Sequence, residues 1–200
     1  MSGDASDAGY RPLVSGGASD AGDRDLQSSG YRLNVEIKAR CADHDAVRSA
    51  LKRLGSRKVG VDHQIDTYFR VPEGRLKLRE GGIENSLIHY ERPDQSGPKT
   101  SDVLLYRVDP DPSLKAVLSR ALGVLVVVDK HREIHFVGNV KIHLDEVDGM
   151  GTFLEIEAID ADGSRSEAEL QAQCEAFMAD FGVKEGDLLD VSYSDMLLKG

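Results

Sequence analysis

After residue 30, polar and apolar positions alternate with a period of two over most of the chain, the pattern of strands with one face toward a core. In YRLNVEIKA (31–39), Val35, Ile37 and Ala39 interleave with Asn34, Glu36 and Lys38. The rhythm returns in KVGVDHQIDTYFRV (58–71), RLKLRE (75–80), about 85–92, 102–108, VLVVVDKHREIHFV (124–137), NVKIHLDEV (139–147) and TFLEIEAID (152–160). Turn-forming residues separate these runs: PEG at 72–74, GG at 81–82, Gly138 and GMG at 149–151. Elsewhere the period lengthens to that of a helix. DHDAVRSALKRL (43–54) sets Val47, Leu51 and Leu54 on one side behind Asp43, a cap residue, and DPSLKAVLSRAL (111–122) opens with Asp and Pro in cap and first-turn positions. RSEAELQAQCEAFMADF (165–181) is amphipathic and stops at Gly182, and a short helix is expected over 191–198. The pattern predicts an α+β domain with about eight strands.

Residues 1–30 break that pattern. They are rich in Gly, Ser, Ala and Asp and repeat ASDAG at 5–9 and 18–22. So few large apolar groups cannot offset the entropy of ordering, so this segment is expected to be a disordered tail ahead of a domain at 31–198. The chain carries a net charge of −10, which excludes a broad basic surface for nucleic acid or anionic membrane. An anionic ligand would therefore need a local cluster of cations. The two cysteines, Cys41 and Cys174, form no CxxC or Cys/His cluster, which fits a reducing, cytoplasmic setting without a zinc site. No apolar run approaches the roughly 20 residues of a membrane span.

The polar faces carry the chemistry. Glu36 and Lys38 share a face, as do Arg75, Lys77 and Arg79, Lys130 and Arg132, Lys141, His143 and Asp145, and Glu155 and Glu157. A half-buried antiparallel strand ordinarily turns such a face to water. Two features argue otherwise for the set. The chain supplies helices that could cover the apolar faces from outside, and eight strands suffice to close a barrel whose lumen is then charged. Charge is also sorted by strand, with cations on 75–79 and 130–132 and carboxylates alone on 155–157. Cations on one wall and hard carboxylate oxygens on another suit a phosphate chain with a divalent metal.

These motifs, ExK at 36–38, LKLR at 76–79, KxR at 130–132, Asp145 and LEIE at 154–157, resemble the CYTH domain of class IV adenylyl cyclases and thiamine triphosphatases, the triphosphate tunnel metalloenzymes. The resemblance spans about 31–198 and is nearest to the cyclases over 129–157. It implies an eight-stranded antiparallel closed β-barrel with helices packed outside. It implies Mg²⁺ or Mn²⁺ held by Glu36, Glu155 and Glu157, with Asp145 on the metal or beside it. Lys38, Lys77, Arg79, Lys130, Arg132 and Lys141 would lie along the triphosphate, with Arg92 of HYERPD as a further contact; Glu36, Lys38 and Arg132 would be catalytic. The substrate would be ATP, converted to cyclic AMP and pyrophosphate, or a tripolyphosphate, thiamine triphosphate or nucleotide that is hydrolysed, or a ligand bound without turnover. A homodimer is the open expectation for assembly. The family's first strand usually reads Glu-x-Glu-x-Lys, and here Asn34 stands at the first Glu, an oxygen donor without charge. His63, His89, His131 and His135 are expected on the surface or on strand faces, His143 on the charged face, and Tyr68 and Phe69 in the core.

Overall fold

The computed structural model describes residues 31–91 and 97–199; Arg92 and the segment 1–30 lie outside the described residues. Among the described residues eight strands form, β1 Tyr31–Arg40, β2 Arg57–Phe69, β3 Arg75–Glu80, β4 Ser86–Glu91, β5 Lys99–Arg107, β6 Val124–Val137, β7 Val140–Val147 and β8 Gly151–Asp160. Each lies within a few residues of an alternating run. They hydrogen-bond in the order β1-β5-β4-β3-β2-β6-β7-β8, all antiparallel, and β8 pairs back onto β1, so the eight make a ring. Hairpins link β2 through β5 and β6 through β8. The pairings β1–β5, β1–β8 and β2–β6 are the long-range ones that join them.

The helices start and stop where side chains satisfy their ends. Helix α1, His44–Arg53, is capped by Asp43, which accepts from the Ala46 N–H at 2.9 Å. Helix α2, Pro112–Leu122, is capped by Asp111 with Pro in its first turn. Helix α3, Glu167–Phe181, has a reciprocal Ser166–Glu169 capping box and ends at Gly182 in the left-handed region. Helix α4 is Tyr193–Lys199.

The apolar faces of β1, β7 and β8 point outward, where Val47 and Leu51 of α1 and Leu170 and Cys174 of α3 pack on Val35, Ile37, Ile142, Leu144 and Ile156. That follows the expected arrangement. The opposite flank does not, because α2 buries none of its residues and leaves Val117 63% exposed, while Leu104 and Tyr106 of β5 are 56% and 70% exposed. Helical covering is thus concentrated on β1, β7 and β8, with α4 adding Tyr193 and Met196 against Tyr68, Val128 and Phe153. On β1, β7 and β8, where apolar side chains face out, alternation turns the charged ones into the lumen, whereas β4 and β5 line it with Ile88, Tyr90, Val103 and Leu105.

Candidate active site

The ring encloses a cavity of roughly 780 Å³. Its walls carry Glu36, Lys38, Lys77, Arg79, Lys130, Arg132, Lys141, Glu155 and Glu157, all but two of the site residues the sequence singled out. Asp145 is buried but does not line the cavity, and Arg92 is outside the described residues. Register explains the convergence. Lys38 lies opposite Glu155 and Glu36 opposite Glu157 across β1–β8, Arg132 opposite Asp145 across β6–β7, and His143 opposite Glu155 across β7–β8. Directly opposed side chains have Cβ atoms about 5 Å apart, so each pair meets.

Asp66 of β2 is the hub of the cationic wall. Its carboxylate is 2% exposed and accepts from Lys77 Nζ at 3.1 Å, Lys130 Nζ at 2.8 Å and Arg79 Nε and Nη2 at 2.8 and 2.9 Å. Burial would push this carboxyl up, but Arg79, Lys130 and Lys77 outweigh it and hold it well below the usual range. Glu84 shares Arg79 with Asp66, accepting from Nη1 at 2.9 Å, and also accepts from Lys141, so two carboxylates face the four cations Lys77, Arg79, Lys130 and Lys141. Lys130, 1% exposed, is accordingly pushed well below an ordinary lysine by burial and by the neighbouring Arg79, Arg132 and Lys77, against the pull of Asp66.

A second group surrounds Arg132. Asp145 accepts from Arg132 Nε at 2.7 Å and Nη2 at 2.5 Å and from the Tyr193 hydroxyl at 2.8 Å. Burial opposes its ionisation, yet Arg132, Lys130 and Lys38 bring the carboxyl down to about 2. Glu155 is bonded to Lys38, to Arg132 Nη2 at 2.6 Å and to His143 Nδ1 at 3.2 Å. Burial first, then Arg132 and Lys141, pushes His143 well below an ordinary histidine, so it stays neutral. Lys38 Nζ also sits 3.8 Å from the centre of the Tyr193 ring. Helix α4 thereby packs one aromatic side chain under this end of the lumen.

The carboxylates expected on a metal fall into two sets. Asp145 and Glu155 are committed to cations. Glu36 and Glu157 face each other across β1–β8, and Asn34 Nδ2 donates to Glu157 Oε1 at 2.5 Å. The buried Asn34 Oδ1 has no hydrogen-bond partner among the described residues. Among the described residues no three His, Cys, Asp or Glu side chains form a ready metal cluster. Two opposed carboxylates and an orphaned amide oxygen nevertheless are hard donors of the type a divalent cation takes, and opposed like charges favour its presence.

Sequence reading missed several residues. Asp62, Gln64, Asp66 and Tyr68 share one face of β2 by the same i, i+2 rule that picked out the other walls, so the signal was present. Tyr68 is core-like at 5% exposure, as expected, but it also borders the lumen, with its hydroxyl 3.5 Å from Lys77 Nζ. Glu84 and Tyr193 lie outside strands, and no periodicity marks them. Of the histidines, His63 and His131 stack on the outer surface, whereas His135 and His143 are 5% and 2% exposed.

The sequence profile of the CYTH domain matches residues 32–193. A protein of Methanocaldococcus jannaschii, named provisionally as an adenylate cyclase, is 26% identical over 175 residues, covering 82% of this chain and 98% of that protein. The adenylate cyclase CyaB of Aeromonas hydrophila is 29% identical over 175 residues, covering 81% of this chain and 87% of its own. Among solved structures, a Pyrococcus horikoshii protein superposes with a TM-score of 0.69 at 24% identity, covering 81% of this chain and 98% of the other, which speaks to the fold.

Proposed function

The chain belongs to the CYTH family, and from that premise we propose that its lumen binds a triphosphate for metal-dependent chemistry, with conversion of ATP to cyclic AMP and pyrophosphate as the reaction. The observation that carries this reading is a local surplus of cations: Lys77, Arg79, Lys130 and Lys141 share two carboxylates, Asp66 and Glu84. Buried, incompletely neutralised cations are costly, and a phosphate chain among them supplies the missing charge. The cavity volume suits a whole nucleotide, since pockets for small organic ligands span about 300–1,000 Å³. Ile134, Phe136 and Ile159 line it beside the charged residues and offer apolar contact to a nucleoside, which a bare polyphosphate would not use.

Cyclisation joins the ribose 3′-oxygen to the α-phosphorus, breaks the bond from that phosphorus to the bridging oxygen, and releases pyrophosphate and the proton of the 3′-hydroxyl, which passes to solvent. Lys38, Lys77, Arg79, Lys130 and Arg132 are placed in this reading along the phosphates, where they stabilise the charge that builds on the leaving group. Asp145 and Tyr193 hold Arg132 in one orientation, and Asp66 does the same for Arg79, so little reorganisation is needed as charge develops. Glu36, Glu157 and Asn34 Oδ1 would hold Mg²⁺ or Mn²⁺, which when bound lowers the pKa of a coordinated hydroxyl and neutralises phosphate oxygens. Glu155, tied to Lys38 and Arg132, is assigned to orienting those cations.

The test is product analysis with purified protein, ATP or tripolyphosphate, and Mg²⁺ or Mn²⁺. Cyclic AMP with pyrophosphate is expected from ATP, and Glu36→Gln with Glu157→Gln should reduce it at least 100-fold, in line with loss of metal-ion catalysis. Orthophosphate with ADP from ATP, and with pyrophosphate from tripolyphosphate, without cyclic AMP, would replace cyclisation by hydrolysis at the terminal phosphorus. Saturable binding without turnover would leave a nucleotide-binding module.

A further inference from the structure

Glu84 stands on the turn between β3 and β4 and reaches across the lumen. Its Oε1 accepts from Lys141 of β7, and its Oε2 accepts from Arg79 Nη1 of β3 at 2.9 Å and from Gln64 Nε2 of β2 at 3.0 Å. In the ring β3 and β7 are separated by β2 and β6, so this carboxylate bridges the bore instead of lying along one wall. Both cations it joins are ones read above as triphosphate contacts. With Asp66 on Nε and Nη2 and Glu84 on Nη1, Arg79 is engaged on three of its nitrogen atoms by protein carboxylates. Glu84 is the carboxylate that lies on both Arg79 and Lys141, so a phosphate seated between these two cations competes with it.

The two carboxylates differ in their freedom to leave. Asp66 is carried on a strand, is 2% exposed and is held by three cations. Glu84 is carried on a turn, and its side chain is 23% exposed. The backbone of that turn is fixed: Asp62 accepts from the N–H groups of Gly82, Ile83 and Glu84 at 2.6, 3.0 and 3.0 Å, and Asn85 Nδ2 donates to the Gly81 carbonyl at 2.6 Å. The side chain can therefore swing out by rotation about its own bonds while its anchor stays in place. Burial would raise its pKa, but Lys141 and Arg79 hold the carboxyl well below the usual range, so it is charged whenever a phosphate competes with it.

Building on the triphosphate reading, we propose that Glu84 is a displaceable internal anion that occupies the phosphate position between Arg79 and Lys141 and is expelled when a triphosphate enters. It neutralises these cations in the free protein, lowers the net affinity for substrate and returns to them as the phosphate chain departs, which opposes retention of product. Removing it should tighten binding of a polyphosphate; a residue that merely orients Arg79 and Lys141 would have the opposite effect.

The experiment is calorimetric titration of the full chain with inorganic tripolyphosphate in EDTA, for the native protein, Glu84→Gln and Glu84→Asp. The aspartate keeps the charge but is one methylene too short to span both cations, and it decides the matter if the glutamine variant does not fold. Glu84→Gln is expected to bind tripolyphosphate about tenfold more tightly than the native protein, the scale of removing one competing charge from a close pair, and Glu84→Asp, which keeps the charge but loses the span, more tightly by a smaller factor. Their melting temperatures should be lower without tripolyphosphate and rise further with it. Equal or weaker binding by the variants, with the native protein binding, overturns the role of Glu84 and leaves the triphosphate reading standing. Absence of saturable binding by the native protein overturns both.

Discussion

Asn34 and Asp66 show how much a single residue's role depends on what faces it. Asn34 is 4% exposed, donates to Glu157 and keeps a buried carbonyl oxygen without a partner among the described residues, an arrangement that costs about 1–3 kcal/mol unless something accepts that lone pair. Asn34→Glu would set a third carboxylate beside Glu36 and Glu157. In EDTA this variant is expected to lose roughly 1–3 kcal/mol of stability, the cost of replacing a hydrogen bond with a buried like charge, and Mn²⁺ should restore it. Thermal melts with and without Mn²⁺ read this directly, and a melt indifferent to the ion would remove these three residues from the metal site. Asp66 presents the reverse situation. Its chain position in DHQIDTYF already put it on the same strand face as Gln64 and Tyr68, but its three cations come from β3 and β6. Alternation identifies the face; it does not say which strand lies beside it.

Elements were more legible than contacts. β3 and β6 have the predicted bounds, and the other strands shift by three residues or fewer at either end, because period-two alternation between turn residues is a local property. The helices follow their caps, Asp43, Asp111 and Ser166, for the same reason. The β3–β4 turn was visible as Gly-Gly, yet its function as a platform was not, since the three N–H groups of 82–84 bind an aspartate some 20 residues earlier. Gly81 is needed there for space: a Cβ would lie 2.6 Å from Asp62 Oδ2 and 2.9 Å from the Glu84 carbonyl oxygen. Gly81→Ala should therefore shift the turn, cost about 1–3 kcal/mol as overpacking does, and weaken the Glu84 bridge. Urea denaturation measures the first effect. A fully native midpoint would show that the turn yields without cost.

At the scale of the whole molecule, the charged lumen couples stability to pH. Asp145, with its carboxyl held near 2 by Arg132 despite burial, has a folded pKa below its unfolded value of about 3.9. The sign follows: its contribution, on the order of 2 kcal/mol, is present above about pH 4 and is lost as pH falls through about 2. Asp66, also held well below its ordinary value, acts in the same direction. The urea midpoint should hold steady from pH 7 to about 5 and fall steeply below 4, and Asp145→Asn should flatten that fall. A native midpoint unchanged down to pH 2.5 would contradict it. The sequence by itself determined the strands, the helices, the two faces of each strand and the kinds of charge they carry, because periodicity, caps and turns are fixed by neighbours along the chain. It also marked the family through motifs spread from Glu36 to Glu157. Only the tertiary structure decided that α1 and α3 cover β1, β7 and β8 while α2 covers little, that Asp145 serves Arg132, and that Glu84 spans the bore. Those outcomes depend on strand order and register across long loops, where residues 57 apart in sequence meet as Lys141 and Glu84 do, and no local pattern encodes that pairing.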